Sequence, residues 1–199
     1  MRILEEKILH DGLALGTEIV KVDSFLNHQI DVHFLRLLGE EFHRLFADTH
    51  PTKILTMESS GISIAVATAV SFDKVPVVFA KKTAPSTMVE DVYHAEVRSF
   101  TRGIVSSARV AKKFLSPKDR ILIIDDFLAH GEAASGLAEI VNQAGATLVG
   151  VGVVIEKAFQ GGREKLAAYG CPVAALARIG RIENGIIHFL PADDESHTL

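Results

Sequence analysis

Four branched apolar residues in a row, Ile121-Leu122-Ile123-Ile124, run straight into a pair of acids, Asp125-Asp126. An unbroken apolar run of that length suits a strand covered on both faces, as in the parallel sheets of α/β proteins. The acids stand where the strand is expected to emerge. Phe127 to Gly131 reads as a short loop, and Glu132 to Ala144 as a helix with Ala, Leu and Ile at core spacing. Backbone N–H groups at a helix start attract phosphate, and carboxylates accept hydrogen bonds from ribose hydroxyls or help to hold a divalent cation. The segment therefore has the makings of a site for a phosphorylated sugar. Two other readings share the pattern. Receiver domains open with an acidic pair that binds Mg²⁺, but there the pair lies on the first strand and an acceptor Asp follows. Here it lies past mid-chain, and the next strand ends in Glu156-Lys157. The acids of a strand end are also sometimes merely solvated.

Composition narrows the class. The 199 residues suit one α/β domain over 1–199 with a modest elaboration, and 48% hydrophobic content is ample for a core. A net charge of −4 gives no general pull toward nucleic acid or an anionic membrane, so basic residues must act locally. The longest uncharged, largely apolar stretch, Ala144 to Ile155, falls well short of the ~20 residues of a membrane-spanning helix. Acids within the first twelve residues, MRILEEKILHDG, do not fit a signal peptide. The lone Cys171 excludes an internal disulfide and fits a reducing cytoplasm. None of the nine histidines groups with Cys or another His at metal-site spacing.

The periodicities predict a short amphipathic helix over Met1–His10, with Leu4 and Ile8 one turn apart, then an irregular Leu13–Ile30. Val32, Leu35, Leu38, Phe42, Leu45 and Phe46 predict a helix over about Asp31–Ala47. A strand follows at Lys53–Met57, an apolar helix through Val70, and a strand at Val75–Ala80. Lys81–Thr101 is polar and long for an uncommitted connection, the character of a lid or an insertion. Strands resume at Val97–Phe100 and Gly103–Ser107. After the opening segment come a strand at Thr147–Ile155, a helix near Arg163–Tyr169, a hairpin through Asn184-Gly185, and a frayed tail from Asp193. Alternating strands and helices imply a mostly parallel central sheet flanked by helices, with ligands at the carboxyl ends of the strands.

Three strand ends then carry suggestive chemistry and should share one sheet edge: Glu58-Ser59-Ser60-Gly61, Lys81-Lys82, and Asp125 to Ala133. Each has a bland counterpart, a common turn, a solvated pair and a solvated strand end. Their order resembles the type I phosphoribosyltransferases, which move ribose 5-phosphate from phosphoribosyl pyrophosphate to a base. The likeness narrows at VKVDSFLNHQID (Val20–Asp31), ESSGI (Glu58–Ile62), VPVVFAKK (Val75–Lys82) and VIEKAFQGGR (Val153–Arg163), and is similar over nearly the whole chain to the bacterial xanthine-using branch of that family.

The resemblance implies the type I phosphoribosyltransferase fold, with a small hood from about 1–35 and the C-terminal segment, and a cytoplasmic homodimer acting in purine salvage. It implies that Ala129, His130, Gly131, Glu132 and Ala133 bind the cosubstrate's 5′-phosphate. Asp125 and Asp126 would face the ribose hydroxyls as the catalytic pair. Glu58, Ser59, Ser60, Gly61 and Lys82 would bind the pyrophosphate, Lys82 from the partner subunit of a dimer. Val20 and Asn27 would border xanthine, Lys157 would contact it, and Phe159 would lie close to its ring. Mg²⁺ would come with the pyrophosphate, with Asp125 and Asp126 as candidates to help hold it and no residue assigned as its direct ligand. The chain departs from the family at Ala129 and Ala133, where Ser or Thr is common, at His130, and at Lys81, where Arg is common and a bidentate fork is lost. A base preference for hypoxanthine or guanine fits the same motifs. So does a non-catalytic regulator sensing phosphoribosyl pyrophosphate, although the residues before Asp31 leave no room for a DNA-binding domain and the charge is acidic. Bland alternatives also stand for Lys157, as a strand-end lysine paired with Glu156, and for Val20 and Phe159, as core.

Overall fold

A computed structural model describes residues 1–82, 91–99 and 104–191 of the chain. Its centre is a six-stranded sheet of β3 (Lys53–Met57), β4 (Val77–Ala80), β7 (Arg120–Leu128), β8 (Thr147–Lys157), β9 (Val173–Glu183) and β10 (Ile186–Phe189). The strands lie in the order β10-β9-β8-β7-β3-β4. All neighbours run parallel except β10, which folds back antiparallel on β9. The hairpin uses the expected Asn184-Gly185 turn, both residues at positive φ. Parallel pairing sends the carboxyl ends of β3, β4, β7 and β8 to one edge of the sheet, where all three suggestive strand ends lie.

Helices cover both faces because the central strands are apolar on both faces. Ile121 to Ile124 are fully buried, alternating between two cores. One core lies beneath α2 (Val32–Phe46) and α3 (Ser60–Ser71), the other beneath α4 (Glu132–Gln143). Asp31 caps α2 by accepting from the Phe34 N–H at 3.0 Å, worth about 1 kcal/mol. The helix presses closely on β8 because Gly150 and Gly152 leave room for Phe46 and Phe42. A Cβ at either glycine would stand 2.6 or 2.8 Å from those rings. The GVGVV spacing is therefore a packing device as well as a strand.

Four expectations need correction. Leu13–Ile30 is ordered: β1 (Leu13–Leu15) and β2 (Ile19–Lys21) form a hairpin, and Asp23–Asn27 is a π-helical turn. Three-residue strands are too short to register as an alternation. The stretch Lys81–Thr101 is not an uncommitted loop up to Val97: the strand expected at Val97–Phe100 is the end of β5 (Val92–Ser99), which pairs along its length with β6 (Ile104–Ala111), where a strand was expected at Gly103–Ser107, in a separate antiparallel ribbon. Its signal was there: Ala95 and Val97 are buried while His94, Glu96 and Arg98 alternate outward. The ribbon docks on α4, where Gly136 faces Val97 and the Gln143 amide exchanges hydrogen bonds with the His94 backbone. The rest of that expected lid, 83–90 and 100–103, lies outside the described residues, as does the expected tail from Asp193. The third correction is β9, an eleven-residue strand of which the sequence reading held only the hairpin end. The fourth concerns the acids: Asp125 and Asp126 lie inside β7, which continues to Leu128, rather than beyond its end.

Candidate active site

Successive residues of a strand point to opposite faces, so the two adjacent aspartates serve different neighbours. Asp125 Oδ1 lies 2.7 Å from where a Cβ on Gly61 would stand, and Thr56 Oγ1 lies 2.1 Å from the same point. Only glycine fits there, which brings the Glu58–Gly61 junction against the acidic pair. Asp126 Oδ2 accepts from Asn27 Nδ2 at 3.1 Å, which draws the N-terminal segment over the end of β7. The carboxylates are more enclosed than a solvated strand end would allow, at 6% and 8% exposure. Loss of water around Asp125 pushes its pKa well above the ordinary carboxylate value, and the neighbouring Asp126 charge pushes it the same way. The Lys82 charge opposes this, so that cation lies within electrostatic reach of the pair in the same chain.

The second junction closes onto the first. The Lys82 N–H donates to Glu58 Oε1 at 2.6 Å, and the Glu58 N–H donates to the Ala80 carbonyl. Lys81 exchanges two backbone hydrogen bonds with Arg109, tying β4 to the ribbon. The peptide between Glu58 and Ser59 is cis, and Ser60 and Gly61 begin α3.

Downstream of the acids, Ala129 and His130 lead to Gly131, which enters α4 at φ 77° as its N-cap. L-residues with a side chain rarely take that conformation. The first-turn amides, those of Glu132 and Ala133 among them, have no intrahelical acceptor and carry the positive end of the helix dipole. A phosphate fits such a cradle without hydroxyl side chains, so Ala129 and Ala133 do not spoil it. His130 Nδ1 lies 3.1 Å from the Gln160 carbonyl, and Glu132 pairs with Lys165 at 2.5 Å.

The residues expected to face the base come from the end of β8 and the β1–β2 hairpin. Lys157 is not paired with Glu156. Its Nζ donates to the Glu18 carbonyl at 2.7 Å and stands 5.6 Å from the centre of the Phe127 ring. Desolvation lowers its pKa from the ordinary lysine value. Glu156, buried to 2% exposure, instead receives two hydrogen bonds from Arg163 and one from Arg178. Val20 is buried in the hood's packing. Phe159 is 40% exposed, which removes the core alternative for it. The structure therefore gathers Asn27, Asp126 and Gly61 with Asp125 at the end of β7, while Lys157 stands at the end of neighbouring β8 with Phe127. Phe127, Glu18, Thr56 and Arg163 were not singled out from sequence. Phe127 had a signal in its place directly after the acidic pair on an extended strand. Glu18 contributes only a carbonyl, which no side-chain pattern reveals.

Comparison with known proteins identifies the family. Residues 21–174 match the family model described as a phosphoribosyl transferase domain. A xanthine phosphoribosyltransferase of Streptococcus uberis is 52% identical over 193 residues, covering 97% of this chain and 100% of that protein. One from Streptococcus pneumoniae has the same identity and coverage. Among solved structures, an adenine phosphoribosyltransferase from Rhodothermus marinus superposes with a TM-score of 0.73 at 23% identity, over 90% of this chain and 100% of that one. An adenine phosphoribosyltransferase from Trypanosoma brucei, solved with AMP, pyrophosphate and ribose-5-phosphate, gives 0.68 at 17% identity, over 85% and 77% of the two chains. At such identities these structures speak for the fold. Among the described residues no helix is long and apolar enough to cross a membrane.

Proposed function

Since the chain belongs to the phosphoribosyltransferase family, we propose that it transfers the 5-phosphoribosyl group from phosphoribosyl pyrophosphate to xanthine, releasing pyrophosphate and xanthosine 5′-monophosphate. The observation that carries this is the Asn27–Asp126 hydrogen bond, which spans 99 residues of sequence to set an amide donor of the hood beside a sugar-facing acid. The names of the relatives at 52% identity support the choice of base.

The 5′-phosphate would sit on the amides of 129–133, and the ribose hydroxyls would face Asp125 and Asp126. As the bond to pyrophosphate loosens, positive charge develops on the sugar, and fixed carboxylates in a partly dried site oppose it. Two neighbouring carboxylates offer hard oxygen donors of the kind Mg²⁺ takes, and no group of three acids or histidines among the described residues would hold a metal alone. Mg²⁺ bound through the pyrophosphate would neutralise the leaving group's charge. Lys157 has three N–H donors and spends one on Glu18, leaving two for a purine carbonyl. Asn27 likewise keeps one amide N–H for the second carbonyl of xanthine. An adenine amino group facing the Lys157 ammonium would leave two donors opposed. Phe159 is exposed and near enough in sequence to border the ring. Residues 1–35 would act as the hood of a single 1–199 domain.

A base panel of xanthine, guanine, hypoxanthine and adenine, each with phosphoribosyl pyrophosphate and Mg²⁺, tests this directly. Xanthine should give the highest kcat/KM. A preference for guanine or hypoxanthine would reassign the base, and transfer to none would overturn the reaction.

The working unit is proposed to be a dimer of this chain joined along α2 and α3. Helix α3 holds no charged residue from Ser60 to Ser71, yet Val66 and Val70 are 49% and 61% exposed. A helix apolar all round is normally covered all round. With Val32 these residues line a groove of about 850 Å³ rimmed by the Arg36–Glu40 pair. Sedimentation should find a dimer for the native chain and a monomer for Val66→Asp. A native monomer, or a variant that still dimerises, would remove this interface.

A further inference from the structure

The turn after β8 touches the phosphate loop at three successive places. The Gln160 carbonyl lies 3.1 Å from His130 Nδ1. Gly162 abuts the loop backbone so closely that a Cβ on it would stand 2.3 Å from the Ala129 carbonyl oxygen and 2.9 Å from the Gly131 nitrogen. Lys165 pairs with Glu132 at 2.5 Å. The loop in question is short, holds a glycine at positive φ, and has no side-chain cap of its own. Something outside it must fix its place.

What fixes the turn is Arg163. Its Nε and Nη2 grip both oxygens of Glu156 at 2.9 and 2.6 Å, and its Nη1 donates to the Val173 carbonyl at 2.8 Å. Glu156 is itself locked in the sheet, opposite Leu128 on β7 and Arg178 on β9, with Arg178 Nε donating to it at 2.9 Å. A bidentate guanidinium–carboxylate pair fixes orientation as well as distance. The base-facing Lys157 is held differently, by the Glu18 carbonyl and the Phe127 ring.

We propose that Arg163 is a positioning residue for the cosubstrate: through Gly162 it sets the place of the Ala129–Gly131 backbone that receives the 5′-phosphate. This rests on the phosphoribosyl-transfer function proposed above. The anion cradle consists of backbone amides, and a cradle displaced by a fraction of an ångström loses much of its grip. Lys157 takes its contacts from Glu18 and Phe127, so Phe159 is the one base-side residue placed in the supported turn. The two substrates should therefore respond differently.

Arg163→Lys keeps the charge but loses the fork. It should raise KM for phosphoribosyl pyrophosphate about tenfold, leave KM for xanthine within about twofold, and leave the melting temperature near that of the native chain. Gly162→Ala, which leaves the ion pair in place, should show the same split because its Cβ must push the Ala129 carbonyl. General loosening of the fold would move both KM values together and lower the melting temperature. Parallel changes in both KM values, or no change in either, in a folded variant would overturn the proposal. If Arg163→Lys fails to fold, Gly162→Ala decides by the same criterion. Native enzyme is assayed alongside: its failure to transfer at all would sink the function itself, whereas native transfer with unsplit variants would sink only the role of Arg163.

Discussion

Changing Asp125 and Asp126 together to Asn should leave a folded chain that transfers phosphoribosyl groups about a thousandfold more slowly or worse. The amide keeps the shape of each side chain: the oxygen at 125 still accepts from the 126 N–H, and the one at 126 keeps one of the two donors, Asn27 and the Phe127 N–H, that Asp126 accepts from. What disappears is the negative charge that opposes the developing charge on the sugar. The same change should make the protein more stable near neutral pH. Asp125 is buried and holds its proton to higher pH in the folded chain than in the unfolded one. Between the ordinary carboxylate pKa and that raised value the folded state binds more protons, so native stability falls as pH climbs through the window. Asn has no charge to bury. The variant's advantage in melting temperature should be absent in strong acid and grow toward neutrality. Thermal scans across pH, beside turnover assays, measure both effects. Full activity would remove the acids from the chemistry, and a melting difference that shrinks with rising pH would contradict the buried-charge account. Stability given up at a working site is a familiar trade.

Lys157→Ala should cost about a hundredfold in kcat/KM for xanthine, the worth of one or two hydrogen bonds from a charged donor in a half-dried pocket. The KM for phosphoribosyl pyrophosphate should stay within about twofold, since Lys157 makes its contacts with Glu18 and Phe127, away from the Ala129–Ala133 backbone proposed to hold the phosphate. Steady-state kinetics with each substrate varied in turn separates the two. Unchanged xanthine kinetics would take Lys157 out of base recognition. A parallel loss for both substrates would mean that the lysine holds the hood in place rather than reading the base.

The parts of the site that lie on single segments were open to reading. The strand Lys53–Met57 falls where its apolar run puts it, α4 begins at Glu132, and α2 starts behind its Asp31 cap. Local patterns sufficed because burial on both faces, helical period and capping are properties of neighbours in sequence. Of the ribbon β5–β6 the sequence showed strands at Val97–Phe100 and Gly103–Ser107 but not the start at Val92, because the alternation begins in a polar stretch and only docking on α4 makes Ala95 and Val97 core residues. The partner of Lys157 escaped for a different reason. A lysine followed from the motif, but proximity to Glu156 in sequence suggested a pair, whereas adjacent strand residues diverge and Glu156 turns inward to two arginines.

The sequence by itself determined that a buried parallel strand would carry an acidic pair and be followed by a glycine-bearing turn and a helix start, since each is written in consecutive residues. Tertiary structure alone decided that Gly61 would lie against Asp125, that Asn27 would reach Asp126, and that Gly162 would back the Ala129–Gly131 turn. Those contacts join residues from 30 to about 100 positions apart, and nothing local to either partner encodes the distance between them. Strand order and close backbone packing supply it.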